Sequence, residues 1–143
     1  MKVYVLSAIF TSDLHQGKSF LLTSDKDSET LPIIEIEYGK HFHNEIYHKI
    51  KSLFVLDSIK VRSDCNYNFL DIQNSFAVDY TINKYDFVNE EDLIITYGGV
   101  LLKYACEPKF KWTDYKLNPE YNAFSSDMNL NLLLDNVISR THI

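Results

Sequence analysis

The sequence contains few of the residues that cross-link or interrupt small folds. Among 143 residues there are only two cysteines, three prolines and four glycines. Cys65 and Cys106 are too few for a disulfide scaffold and too isolated for a zinc site. No apolar run approaches the roughly 18 residues of a membrane span, and no secretory signal pattern precedes the first strand-like segment. We therefore expect a single domain over residues 1–143, cytoplasmic or in a virion, and neither secreted by a signal peptide nor transmembrane.

Basic residues are also in the minority, with 14 against 20 acidic ones and a net charge of −6. A protein that binds duplex nucleic acid usually has a basic surface, so nucleic acid is not an expected partner. Aromatic residues, by contrast, make up 14% of the chain and include ten tyrosines. Tyrosine is enriched at interfaces, so this surplus favours protein partners, although half-buried strand tyrosines would explain it as well.

The composition also resembles that of proteins from AT-rich genomes. Lysine far outnumbers arginine, and asparagine, isoleucine, tyrosine and phenylalanine are abundant while alanine is scarce. The abundant residues have AT-rich codons, as in AT-rich bacteria and many of their phages. This bias makes a phage origin plausible.

The hydrophobic pattern predicts an α+β fold with a mixed, mostly antiparallel sheet. Residues 2–10 are apolar almost without interruption, which is typical of a strand buried on both faces, and residues 19–23 complete a hairpin with it. A turn at Gly98 and Gly99 is expected to join two later strands. Further strands are predicted at residues 31–37, 58–62, 66–72, 75–82 and 110–112.

Two amphipathic helices are predicted, a central one at about residues 41–56 and a C-terminal one at about residues 126–140, within a C-terminal segment 126–143. Ser125 or Ser126 is expected to cap the second helix. Residues 113–125 are predicted to be irregular and aromatic. The apolar stripe of the first helix comprises Phe42, Ile46, Ile50, Leu53 and Phe54, and that of the second comprises Leu130, Leu133, Leu134, Val137 and Ile138.

The strand that contains Pro32, the short loop through Gly39 and the helix that follows resemble the strand-loop-helix of the Nudix superfamily. The aliphatic positions of the family motif fall on Ile50 and Leu56. The motif's first glycine falls on Ile34, its arginine on His48 and its closing glycine on Val55. The resemblance implies a Nudix-like α/β/α sandwich.

The metal-binding glutamates of the Nudix motif have no counterpart in this chain. Their positions fall on Lys40, Lys49, Ser52 and Leu53. Nudix hydrolases hold Mg²⁺ with these carboxylates, whereas an ammonium repels the ion and a leucine offers no ligand. We therefore expect no catalytic residues, no metal, no cofactor and no small-molecule substrate.

Two sets of residues are candidates for binding. Lys40, Lys49 and Lys51 could contact an anion without a metal, although a solvated helix face is the simpler interpretation. A late aromatic set could contact a protein partner from an irregular docking arm. This set comprises Trp112, Tyr115, Tyr121 and Phe124.

Other constellations have simpler structural explanations. His41, His43 and His48 lack the i, i+4 spacing that suits a helical metal site. Glu35 and Glu37 share a strand face that is expected to be exposed. The acidic run that begins at Glu90 could supply a catalytic acid or cap a local turn.

Three functions follow from these observations. We expect a non-catalytic structural or interaction protein on a Nudix-like scaffold, plausibly a ring, connector or tail component of a phage virion that associates with itself or with a larger assembly. The first alternative is a divergent Nudix-type hydrolase that uses Glu35, Glu37 or Glu90. The second is a metal-free nucleotide or RNA binder that uses the three lysines.

Overall fold

A computed structural model describes residues 1–13, 17–37, 39, 42–54, 67–71, 75–102, 108–117 and 120–141. Strands and helices occur together in this part of the chain. The strands are β1 (Val3–Asp13), β2 (Lys18–Thr23), β3 (Ile33–Ile36), β4 (Tyr67–Asp71), β5 (Leu93–Leu102) and β6 (Lys111–Asp114). The helices are α1 (Phe42–Lys51), α2 (Ser75–Lys84) and α3 (Met128–Thr141).

The strands form one sheet in the order β4-β5-β1-β2-β6, and β3 pairs with the N-terminal half of β1. The β1–β5 pair is parallel, and the other strand pairs are antiparallel. The fold is therefore α+β with a mixed, mostly antiparallel sheet, as the sequence predicts. Among the described residues, no helix is long and apolar enough to cross a membrane.

The central strand β1 is buried on both faces, which explains its unbroken apolar run. Tyr4, Leu6 and Phe10 point toward α2 and α3, whereas Val5 and Ile9 point toward α1. Because side chains alternate along a strand, one strand serves two hydrophobic clusters. Helices therefore cover both faces of the sheet.

The helix α1 is shorter than the predicted residues 41–56. The predicted apolar stripe is confirmed at Ile46, Ile50, Leu53 and Phe54, which are all buried. The helix ends at Lys51 because the next turn tightens: the N–H of Leu53 donates to the Ile50 carbonyl, and that of Phe54 to the Lys51 carbonyl. Phe54 then leaves the helical path to form an isolated bridge with Pro108.

The strand predicted at residues 75–82 is wrong, because this segment is the helix α2. Its aromatic and β-branched composition favours a strand in isolation. In the folded chain, however, Ala77, Tyr80 and Thr81 are buried at i, i+3 and i+4 spacing and pack against the sheet and α3. Tertiary packing therefore outweighs local propensity in this segment.

The turn predicted at Gly98 and Gly99 is also wrong. Both glycines lie inside β5, which continues from Leu93 to Leu102 beside β1 in parallel register. Gly98 is opposite Ala8 on β1 and Asn68 on β4. A glycine pair between apolar runs suits a hairpin, but it is equally compatible with an interior strand that has neighbours on both sides.

The β1–β2 hairpin is confirmed, although β1 continues as far as Asp13, into the polar stretch between the two predicted strands. Gly17 precedes β2 with a φ of 62°, a left-handed conformation that glycine adopts without a steric penalty. The strand predicted at residues 66–72 is confirmed as β4. The strand predicted at residues 58–62 lies outside the described residues.

The C-terminal helix begins later than predicted, at Met128, and continues to Thr141. Its N-cap is Asp127 and neither Ser125 nor Ser126, because Asp127 Oδ1 accepts hydrogen bonds from the N–H groups of Asn129 and Leu130 at 3.0 and 3.3 Å. A Lys84–Asp127 ion pair of 3.2 Å links the end of α2 to this N-terminus. The predicted apolar stripe is confirmed, since Leu130, Leu133, Leu134 and Val137 are buried and Ile138 is partly buried.

Candidate functional site

A cleft of about 400 Å³ opens between the β1–β2 hairpin, the chain after β6 and the helix α3. Its floor is formed by the buried residues Phe10 and Thr11, and its rim includes the exposed residues Ser19, Leu117 and Asp135. Ser12, Tyr115 and Ile138 complete the lining. Its volume is within the range of pockets that accept small ligands or single side chains.

The cleft is mainly apolar, and its lining includes one ionisable acid and no basic residue. Asp135 is the only lining residue with a formally charged side chain. Burial, with a smaller contribution from the Asp135 charge, raises the pKa of Tyr115 to about 12. The phenol of Tyr115 is therefore neutral throughout the physiological range, and the cleft has a net negative charge.

The wall of the cleft is held by aromatic contacts and by one strand-like hydrogen bond. The N–H of Tyr115 donates to the carbonyl of Ser19 at 2.9 Å, which continues the β2–β6 pairing beyond Asp114. The Tyr115 ring lies 5.1 Å from the ring of Phe10 and 5.1 Å from that of Phe124. These contacts place a chain segment without regular secondary structure directly over the core.

The same segment is fastened to α3 by one buried amide. Asn131 Oδ1 accepts hydrogen bonds from the N–H groups of Phe124 and Ser125 at 2.9 and 3.0 Å. Asn131 Nδ2 donates to the carbonyl of Ser125 at 2.7 Å. The side chain of Asn131 therefore satisfies three backbone groups that the irregular segment cannot pair by itself.

The predicted aromatic set does not converge on one surface. Tyr115 and Phe124 are partly buried against the cluster that α2 and α3 cover, whereas Trp112 packs on the opposite face, 6.2 Å from the ring of Phe54. Tyr121 is exposed over 55% of its surface. The irregular segment is also shorter than predicted, because residues 113 and 114 belong to β6. An interaction role for these aromatics stays a prediction.

The lysines predicted to contact an anion are only partly described. Lys49 is exposed on α1 and Lys51 is half-buried, while Lys40 lies outside the described residues. Ser52 follows the helix and is exposed, and its hydroxyl donates to the Lys49 carbonyl. Leu53, at a glutamate position of the Nudix motif, is 3% exposed and belongs to the core beneath α1.

The acidic candidates are located at the surface. Glu35, Glu37 and Glu90 are exposed, and Glu35 lies 4.0 Å from the Lys2 ammonium. Asp92 accepts hydrogen bonds from the N–H groups of Asn89 and Lys2, both at 2.9 Å. These hydrogen bonds lower the pKa of the Asp92 carboxyl, that from Asn89 having the larger effect. Asp92 thus stabilises the local turn and the start of β1.

The histidine cluster and the cysteines lie largely outside the described residues. His48 is exposed, while His41, Cys65, Cys106 and the side chain of His43 lie outside the described part of the molecule. Within that part, no three His, Cys, Asp or Glu side chains are close enough to hold a metal ion.

A group of exposed apolar side chains around α3 was not predicted from the sequence. Met128 and Leu132 lie one turn apart on the outer face of α3, with 65% and 44% of their surfaces exposed. Leu117 is 53% exposed and lines the cleft beside α3. The sequence does contain an indication of this surface. Met128 and Leu132 are apolar, lie four residues apart and do not belong to the apolar stripe of the helix.

No protein-family model matches the chain, and no curated protein matches it either.

Proposed function

We propose that the chain is a non-catalytic structural and interaction protein on a Nudix-like scaffold, which assembles with copies of itself through the outer face of α3. The observation that carries the proposal is the concentration of exposed large apolar side chains in one stretch of the sequence. Four of the six such side chains in the described residues fall between positions 117 and 132. We refer to these four, Leu117, Tyr121, Met128 and Leu132, as the α3 patch.

The chemistry of the α3 patch suits a protein interface. Aromatic residues and methionine are enriched in the buried centres of interfaces, and acidic residues are depleted there. Met128 and Leu132 project from one regular helix that is packed against the sheet, so they are held in place before any partner binds. A preorganised apolar surface loses less conformational entropy on association than a flexible one.

Several acids also have structural roles, which supports a function without catalysis. Asp27 accepts a hydrogen bond from the Glu29 N–H at 2.9 Å, which lowers the pKa of Asp27, and Asp127 caps α3. Of the positions where a Nudix hydrolase places its helix glutamates, Leu53 is in the core and Lys49 is a cation.

The setting that we propose is a phage virion, as a ring, connector or tail component. This proposal comes from the AT-rich character of the composition and from the size of the chain. In such assemblies many copies of one small domain associate, so a modest contact per copy is sufficient for a stable whole.

Sedimentation velocity and light scattering over a range of protein concentrations test this proposal. We expect the wild-type chain to form a defined oligomer, and Leu132→Glu to weaken association by about thirtyfold, which is the effect of losing an interface hot spot. Ser75→Glu adds the same charge at an exposed position of α2 and serves as the matched control, with unchanged association. A wild-type monomer at all concentrations, or a Leu132→Glu oligomer as stable as the wild type, would contradict the proposal.

A further inference from the structure

We propose that the cleft between the β1–β2 hairpin and α3 binds a hydrophobic amine, with the apolar part over Phe10 and Tyr115 and the ammonium at the Asp135 carboxylate. The inference does not rest on self-association, although Leu117 of the α3 patch also lines the cleft.

The shape and depth of the cleft support a ligand that inserts one apolar end. Its floor is buried and aromatic, whereas Leu117 and Asp135 stand exposed at its rim. A volume of about 400 Å³ accommodates a single ring with a short alkyl chain. Burial of such a group over Phe10 and Ile138 removes apolar surface from water on both molecules.

The charge of the cleft favours a cation over an anion or a neutral molecule. Among the described side chains, no cation forms an ion pair with Asp135. The proximity of this carboxylate affects Tyr115, whose pKa is raised by burial and additionally by the Asp135 charge. The net charge of −6 adds a general attraction for cations.

The polar groups of the cleft also match what an ammonium requires. An ammonium has three N–H donors and no acceptor, so it needs acceptor oxygens. The lining offers the Asp135 carboxylate and the hydroxyl of Tyr115, which has no hydrogen-bond partner among the residues that the structure describes. Hydroxyl groups of the hairpin at Ser12 and Ser19 can accept as well.

The test compares three ligands with one skeleton, namely phenylbutylamine, phenylbutanol and phenylbutyrate. Each is titrated into the isotope-labelled Leu132→Gln chain, in which the α3 patch is made more polar without a new charge one turn from Asp135, and binding is followed by heteronuclear NMR. We expect the backbone amides of Ser19, Leu117 and Asp135 to shift with the amine, with an affinity about fivefold above that of the alcohol. The carboxylate should bind more weakly than the alcohol.

Two further substitutions test whether the Asp135 charge is responsible for the preference for the amine over the alcohol. Asp135→Asn should remove the preference for the amine and leave binding of the alcohol unchanged. Asp114→Asn removes an equal charge from an exposed position outside the cleft and should preserve the preference. Absence of shifts with the amine, equal affinities for amine and alcohol, or an undiminished preference in Asp135→Asn would each overturn the proposal. None of these results would bear on self-association, which is measured without ligand.

Discussion

The hydroxyl groups of Tyr80 and Tyr85 together satisfy both backbone polar groups of Leu31. The N–H of Leu31 donates to Tyr80 Oη at 3.1 Å, and the Tyr85 hydroxyl donates to the Leu31 carbonyl. Tyr80 also donates to the Glu29 carbonyl at 2.8 Å. One side chain of α2 and one just after its C-terminal end thereby satisfy the backbone of Leu31, between Thr30 and Pro32, whose carbonyls accept from the N–H groups of Ser24 and Ser7.

Removal of either hydroxyl should destabilise the fold. Tyr85→Phe leaves the buried Leu31 carbonyl without its donor. Tyr80→Phe leaves the Leu31 N–H without its acceptor and the Glu29 carbonyl without its donor. We expect each change to lower the free energy of unfolding by about 1–3 kcal/mol, measured by urea denaturation.

Tyr121→Phe is the matched control, because Tyr121 is exposed. It should change the free energy of unfolding by less than about 0.5 kcal/mol. Equal effects of the buried and exposed substitutions would show that the hydrogen bonds around Leu31 contribute nothing to stability.

Alkaline pH should destabilise the protein through the same two tyrosines. Burial raises the pKa of Tyr80 and of Tyr85, and the nearby Tyr80 raises the pKa of Tyr85 further. The folded state therefore retains phenolic protons that the unfolded chain releases from about pH 10 upward, so stability is complete below pH 10 and falls as the pH rises above it.

Urea denaturation at a series of alkaline pH values measures this decline. Tyr85→Phe should make the decline shallower, because one fewer raised pKa contributes to it. Tyr115 contributes between pH 10 and about pH 12. A free energy of unfolding that stays constant above pH 10 would contradict the assignment.

The side chain of Asn131 should be necessary for the order of the segment that precedes α3. Asn131→Ala removes one acceptor and one donor that serve Phe124 and Ser125. We expect a loss of about 2–3 kcal/mol and faster hydrogen exchange at the Phe124 and Ser125 amides. Asn136→Ala, on the next turns of the same helix, should not change exchange at these two amides. Unchanged exchange in Asn131→Ala would show that the aromatic contacts alone hold the segment.

The Nudix-motif positions Ser52 and Leu53, directly after α1, allow a test of the metal-free interpretation. Leu53→Glu places a carboxylate in the core and should cost about 3–5 kcal/mol, because the charge has no buried partner. Ser52→Glu adds the neighbouring glutamate of the motif at an exposed site and should change stability by less than about 0.5 kcal/mol. Urea denaturation with and without Mg²⁺ measures both. Stabilisation of Leu53→Glu by Mg²⁺ would contradict this description of α1.

The elements with a strong hydrophobic period were predictable from the sequence, and those held by tertiary contacts were not. The apolar stripe of α3 and the burial of β1 on both faces each follow from the order of apolar residues within one short segment. The hydrophobic pattern of that segment is therefore sufficient to predict them. In α2, by contrast, Tyr80 is aromatic and Thr81 is β-branched, and only the backbone of Leu31 and the helix α3 explain why they are helical. Strand and helix propensities are averages over many proteins, so they do not include the contact of a residue with a distant part of its own chain.

The cleft was not predictable for a related reason. Phe10, Tyr115 and Asp135 belong to segments far apart in the sequence, and each looks ordinary in its own segment. The aromatic surplus is compatible with protein partners and with tyrosines that pack inside the domain, and Tyr80, Tyr85 and Tyr115 are of the second kind. The exposed Met128 and Leu132 are a better indication of an interface than the number of tyrosines.

The measurement that tests the central claim most directly is an isotope-filtered NMR experiment on a mixture of labelled and unlabelled chains. It detects only contacts between different copies of the protein. Self-association through the α3 patch predicts intermolecular contacts at the methyl groups of Met128 and Leu132. Intermolecular contacts that are absent, or that occur only at other surfaces, would contradict the claim.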